Sequence, residues 1–118
     1  MNTVLLVSDT ASVADRVHTA LAGADVMIVD HPDPETASET AYATEVDSVV
    51  VEMQVGAMGA MAVARAIRAA SGDGAPIPVT ILLDRHADAF LAGRSGATNW
   101  VDKGYTNTEL RDALGLRA

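Results

Sequence analysis

Val46 to Gly59 reads VDSVVVEMQVGAMG, and its apolar run Val49-Val50-Val51 ends on a carboxylate, Glu52. A strand buried on both faces reads this way, because helices covering both sides of a parallel sheet leave no face to alternate toward water. Open α/β sheets place their ligand crevice beyond the carboxyl ends of the strands. Glu52 therefore stands where chemistry would be expected.

The 118 residues make one domain, spanning 1–118, with no linker or second core to seek. A chain of this size buries roughly two thirds of the surface it exposes when unfolded. Only four residues are aromatic, so the core must come from Val, Leu, Ile, Met and Ala. Cysteine is absent, which excludes disulfides, thiolate metal sites and Cys nucleophiles and fits a reducing, cytoplasmic setting. The apolar run after Met1 is short and lacks a basic flank, so no signal peptide is expected. No stretch approaches the ~20 apolar residues of a membrane span. Net charge is −8 with no basic stripe, so direct nucleic-acid binding is not expected either. Lys103 is the only lysine among eight basic residues.

Outward from the Glu52 strand, the chain alternates. Thr3 to Val7 is a buried-strand run followed by Ser8-Asp9, and Val13, Val17, Ala20 and Leu21 then keep helical spacing up to a stop at Gly23. Asp25 to Asp30 is a second strand, broken by His31-Pro32. Asp33 caps a helix with Pro34 at its first position, running to about Thr44. After Glu52, Gly56 and Gly59 bracket a turn before the helical face Ala60, Val63, Ala64 and Ile67. The loop Ser71 to Pro76 precedes a fourth strand, Ile77 to Leu83, which ends at Asp84. A short helix around Ala87 to Ala92 has poorly separated polar and apolar faces. Ala97 to Val101 is the fifth strand, with Asp102-Lys103-Gly104 leaving its end. Thr106-Asn107-Thr108-Glu109 is a capping box, and Leu110, Ala113 and Leu114 give the last helix its buried side.

Five alternating β-α units with right-handed crossovers imply an α/β, doubly wound parallel sheet. For five units the flavodoxin-like order 2-1-3-4-5 follows. That order makes the first and third strands neighbours, so Ser8-Asp9 and Glu52 meet at one rim and Lys103 arrives from the fifth strand.

With these positions in place, the sequence resembles the receiver domain of bacterial two-component response regulators over essentially its whole length. In that family an acidic pair follows the first strand, a phosphoacceptor Asp ends the third, a Ser or Thr ends the fourth, and Lys-Pro ends the fifth. The matching positions are Ser8-Asp9, Glu52, Leu83 and Lys103-Gly104, with Met53 to Ala60 as the loop after the acceptor and Trp100 where a switch aromatic often stands. The departures point to an atypical, pseudo-receiver form lacking the phosphoacceptor Asp. Family chemistry uses three acidic groups to hold Mg2+ while a phosphoryl group moves in line. Here one acid is Ser8 and the acceptor is Glu52, whose extra methylene moves the carboxylate by roughly 1.5 Å, where about 1 Å can cost ~100-fold in rate. Leu83 cannot hydrogen-bond a phosphoryl oxygen. Gly104 replaces the family proline, whose preceding peptide is usually cis.

Two arrangements of this degenerate pocket are open. Glu52 and Lys103 would form an ion pair imitating the phosphorylated state, or Lys103 would merely neutralise Glu52 and Asp9 in an inert pocket, which is the favoured reading. No resident cofactor is expected; Mg2+ would be at most a weak ligand through Asp9, Glu52 and the carbonyl of Gln54. His18, His31 and His86 lie on separate elements and read as surface residues, while Met53, Met58 and Met61 read as packing. No phosphate-binding glycine loop and no Ser-His-Asp arrangement appears, so no enzymatic role is expected.

The resemblance implies a phosphorylation-independent protein-interaction module in bacterial signalling. Its partner face would be the fourth helix, fifth strand and fifth helix, about Arg85 to Leu114, which also serves family homodimers, with Trp100 and Tyr105 as contact aromatics. The sequence fits either a stand-alone receiver or one followed by an output region. A phosphoacceptor switch dependent on Mg2+ and a small-ligand-binding flavodoxin-like domain are the alternatives. The acidic charge speaks against FMN for the latter.

Overall fold

The computed structural model describes residues 1–116. Five strands, β1 (Asn2–Val7), β2 (Val26–His31), β3 (Ser48–Glu52), β4 (Val79–Leu82) and β5 (Asn99–Val101), form one parallel sheet in the order β2-β1-β3-β4-β5. The expected order is therefore the observed one. β3 lies at the centre, with Leu6 beside Val50 on one side and Glu52 beside Leu82 on the other. Every residue of β3 is buried.

Five helices cover the sheet: α1 (Ala11–Leu21), α2 (Ala37–Thr44), α3 (Ala60–Ala70), α4 (Ala89–Arg94) and α5 (Asn107–Ala113). The two-residue period of the strands sorts the core into two layers. Leu5, Val7, Val49, Val51 and Ile81 pack toward α2, α3 and α4, against Ala41, Val63, Ile67 and Ala92. Val4, Leu6, Val50, Leu82 and Val101 face α1 and α5, against Val17, Leu21 and Leu110. Small residues on the helices let them sit close to a sheet that has almost no aromatic filling.

Most helix signals hold, and the strand ends shift for identifiable reasons. Asp33 accepts a hydrogen bond from the Glu35 N–H, as a cap should, but Pro34–Thr36 form a 3-10 turn before α2 begins. Glu45 ends α2 in the left-handed region at φ 56°, an unusual place for a residue with a side chain. The Thr106 and Glu109 capping box closes in both directions. β4 starts at Val79 rather than Ile77 because Pro76 and Pro78 cannot donate to a ladder. β5 begins at Asn99 rather than Ala97; Ser95 and Gly96 form the turn before it, Gly96 at φ +91°.

At the far rim from Glu52, Arg111 of α5 donates through Nε to the Ala20 carbonyl and through Nη2 to the Ala22 carbonyl. These oxygens lie at the C-terminal end of α1, where the helix cannot satisfy its own acceptors. Among the described residues no helix is long and apolar enough to cross a membrane.

Leu5 is fully enclosed in the α2–α3 layer. Leu5→Ala is expected to cost about 2–5 kcal/mol of unfolding free energy, read as a lower urea midpoint with an unchanged slope.

Candidate functional site

The rim at the C-terminal ends of β1 and β3 is built around Glu52. Its side chain is only 8% exposed, so the protein must supply the polar partners that water would have given. The Ser8 hydroxyl lies 3.0 Å from Glu52 Oε1 and donates to it, and the Asp9 backbone N–H donates to the same oxygen at 3.2 Å. Ser8 Oγ in turn accepts from the Thr10 N–H, and its single proton has the Thr10 carbonyl at 3.2 Å as a second acceptor beside the nearer Glu52. Asp9 turns the other way, its Oδ2 accepting from the Gly56 N–H at 3.0 Å. Gly56 adopts φ +52°, and a Cβ there would lie 2.9 Å from Pro34 Cγ, so both the turn and the close approach require glycine. The expected meeting of Ser8, Asp9 and Glu52 is thus present, as two loops laced together across the top of the sheet.

Lys103 does not join them. Among the described residues the ion pairs are Met1 with Asp25, His18 with Asp30, Arg85 with Asp88 and His86 with Asp102, and none involves Lys103, Glu52 or Asp9. The ion pair of the first expected arrangement is thus not formed, while Lys103 does line one cavity with Glu52. From α1, Arg16 donates to the carbonyls of Lys103 and Tyr105 and lays its guanidinium 4.1 Å over the centre of the Tyr105 ring. This clamp fixes the loop after β5, whose Lys103–Gly104 peptide is trans. Leu83 is buried in the α2–α3 layer, with its N–H donating to the Val101 carbonyl, so no hydroxyl stands at the end of β4.

Tyr105 is also corrected, because it is 7% exposed and packs in the α1–α5 layer rather than on the surface. Burial pushes its phenol above the usual range, an effect that Arg16 opposes. Beside it, between α1 and the ends of β3, β4 and β5, is a cavity of about 280 Å3. Glu52 and Lys103 contribute to its lining without touching each other.

Trp100 does reach the surface, at 40% exposed. It lies against Gly93, where a Cβ would stand 3.2 Å from the indole. Phe90 and Leu91, 69% and 50% exposed, extend the apolar surface along α4. Neither was singled out from the sequence; the signal available was the poor separation of faces in that short helix. His18 bonds Asp30, His86 bonds Asp102 and His31 bonds Thr36, in three separate places. Met53, Met58 and Met61 are partly buried against the α2–α3 layer, as packing residues.

No protein-family model matches the chain, and no curated protein does. Solved structures do. A response regulator receiver domain from Clostridium thermocellum superposes with a TM-score of 0.81 at 19% identity, over 98% of this chain and 92% of that one. A chemotaxis response regulator of Vibrio cholerae gives 0.80 at 21% identity, over 98% and 97%. The fold is that of a receiver domain. The receiver domain of a Pseudomonas aeruginosa sensor histidine kinase, with TM-score 0.81 and 18% identity over 96% and 93%, carries a magnesium ion coordinated in its active-site cleft.

The donors in the present receiver fold do not make a comparable magnesium site. Mg2+ demands near-octahedral oxygen ligands and usually draws on carboxylates. Among the described residues no three His, Cys, Asp or Glu side chains converge. Of the two carboxylates at the rim, Asp9 has one oxygen committed to Gly56, and Glu52 has one oxygen holding two donors. The Gln54 carbonyl would be the third ligand of the expected set, on an exposed turn residue.

Ser8 and Lys103 separate cleanly in their expected effects. Ser8→Ala, which strips a donor from a buried carboxylate, is expected to lower stability by about 1–3 kcal/mol. Lys103→Ala should stay within about 0.5 kcal/mol of the native chain in the same urea titration. A larger loss from Lys103→Ala than from Ser8→Ala would restore the ion pair.

Proposed function

We propose that this chain is a receiver domain of the atypical kind, acting in bacterial signalling as a protein-interaction module that does not depend on phosphorylation. The observation that carries this reading is the state of the acceptor position. Glu52 stands where the family Asp would, its Oε1 is already held by Ser8 and Asp9, and Leu83 presents a methyl-bearing side chain where a hydroxyl would answer a phosphoryl group. In-line transfer depends on positioning and on neutralising charge, and both are weakened here. No catalytic role is assigned, and Mg2+ is at most a weak ligand. A cytoplasmic setting goes with this reading.

The partner face is α4 with β5 and α5, where Phe90, Leu91 and Trp100 leave a row of large apolar side chains in water. Exposed aromatic anchors of this kind are what interface hot spots are made of. A second copy of the chain is one occupant, by analogy with family homodimers. The rival reading, a phosphoacceptor switch dependent on Mg2+, has in its favour the magnesium held by one structural neighbour.

Intact mass after incubation with acetyl phosphate and Mg2+ tests the first half. The native chain is expected to gain no phosphoryl group, and gain of one by the native chain would overturn the reading. Glu52→Asp, run alongside, reports whether the remaining pocket is competent. Sedimentation equilibrium tests the second half: if the face joins two copies, Phe90→Asp is expected to convert a native dimer to a monomer that keeps the native far-UV spectrum and still unfolds cooperatively in urea. A native monomer leaves a different protein as the occupant.

A further inference from the structure

The face proposed for a partner carries a sign of charge as well as an apolar row. Beside Trp100, between β5 and α5, runs an open groove of about 350 Å3 whose polar lining is His86, Asp102, Glu109 and Asp112. Glu109 and Asp112 are exposed and three residues apart on α5, so they stand on one side of that helix. Asp112 enters no ion pair among the described residues, and Glu109 has one oxygen on the Thr106 N–H of the capping box. Asp102 is held by His86 alone, at 3.1 Å from Nδ1.

The cations of the same segment are engaged elsewhere. Arg85 bonds Asp88, Arg111 reaches back to the end of α1, Lys103 lines the cavity beside α1, and Arg94 lies 5.7 Å from the centre of the Phe90 ring. The groove therefore sets three carboxylates against one imidazole, next to the exposed indole. Phe90 continues the apolar surface from Trp100, because it stands one turn before Gly93, the residue against the indole. Such a surface repels nucleic acid and anionic lipid. It also repels a second copy: each chain carries a net charge of −8, and a two-fold contact sets the same acidic face against itself. β5 is three residues long, too short an edge to extend with an added strand, which leaves a helix as the form that lays apolar and charged side chains on this face together.

We propose that the occupant of this face is a basic amphipathic helix of a different protein, with its apolar side on Trp100 and Phe90 and its Lys or Arg side chains over Asp102, Glu109 and Asp112. The inference rests on the α4–β5–α5 reading above and narrows it, since a second copy and an acidic segment are both ruled out as occupants. The aromatic pair supplies the contact area, and the carboxylates choose the sign of the partner.

Trp100 is the only tryptophan of the chain, so its emission reports on this face. The probes are synthetic helical peptides: one of Leu and Lys with the leucines along one side, one with Glu in place of Lys, and one with Ala in place of Leu. The Leu/Lys peptide is expected to bind saturably with a blue shift of the Trp100 emission, and more weakly as NaCl rises from about 0.05 M to about 0.5 M. The other two are expected to leave the emission unchanged. Glu109→Gln together with Asp112→Asn should weaken the Leu/Lys peptide about fivefold, the size of two exposed charge pairs. Glutamine preserves the capping box, so the fold of α5 is kept. Glu39→Gln together with Asp73→Asn, an equal change of net charge placed on α2 and in the loop after α3, should leave the affinity as it was. The inference is overturned if the Leu/Lys peptide does not move the Trp100 emission, if either control peptide binds as well, or if the two double variants behave alike. A native dimer that Phe90→Asp splits also overturns it, while keeping the face as an interface occupied by a second copy. Leu/Lys binding that Phe90→Asp leaves intact overturns the inference and the face together. Phosphoryl uptake by the native chain strikes only the phosphorylation-independent reading, and the preference for a basic helix is then still decided by the peptides.

Discussion

A carboxylate at the end of a fully buried strand must be solvated by the protein itself, and the upper rim of this molecule is organised by that requirement. β3 carries Glu52 into a position flanked by β1 and β4, where bulk water reaches little of it. The solution is local and neutral: a hydroxyl from Ser8 and an amide from Asp9, both from the loop that leaves the neighbouring strand. The Asp9 side chain, which makes no bond to Glu52, ties that loop to Gly56 on the far side. A lysine is not needed to balance this arrangement. Neutral donors hold the carboxylate in place, with no ion pair to Glu52 among the described residues.

The sheet was legible because its signal is strong and local. Three consecutive valines, an apolar run near the start and IPVTILL later in the chain each mark a strand with both faces covered, and the alternation with helices permits few topologies. The strand order then brings Ser8, Asp9 and Glu52 together with no further assumption. Strand ends were less legible, since a proline such as Pro78 removes a ladder donor while leaving the apolar pattern intact. Short polar codes, the Thr106–Glu109 box and the Asp33 cap, read correctly because each is complete within four residues.

What the sequence hid is carried by contacts across the whole chain. The direction of the loop after β5 is set by Arg16, whose bonds to Lys103 and Tyr105 span 87 and 89 residues and leave no periodic trace. An arginine on an exposed helical position reads as solvated, and an aromatic just after a strand reads as surface. Their pairing across the chain accompanies the burial of Tyr105 and ties down the backbone of the loop that carries Lys103. The exposed Phe90 and Leu91 were obscured for the opposite reason: apolar residues in a short helix read as core until the sheet is seen to be already covered.

Arg111 has a consequence for the order in which this chain can be completed. The carbonyls that end the first helix, those of Ala20 and Ala22, find their side-chain donor in the last one. A chain that stops short of Arg111 holds the whole of α1 but not the group that closes it. The end of α1 thus gains its side-chain donor only once the loop-closure entropy of some ninety residues has been met.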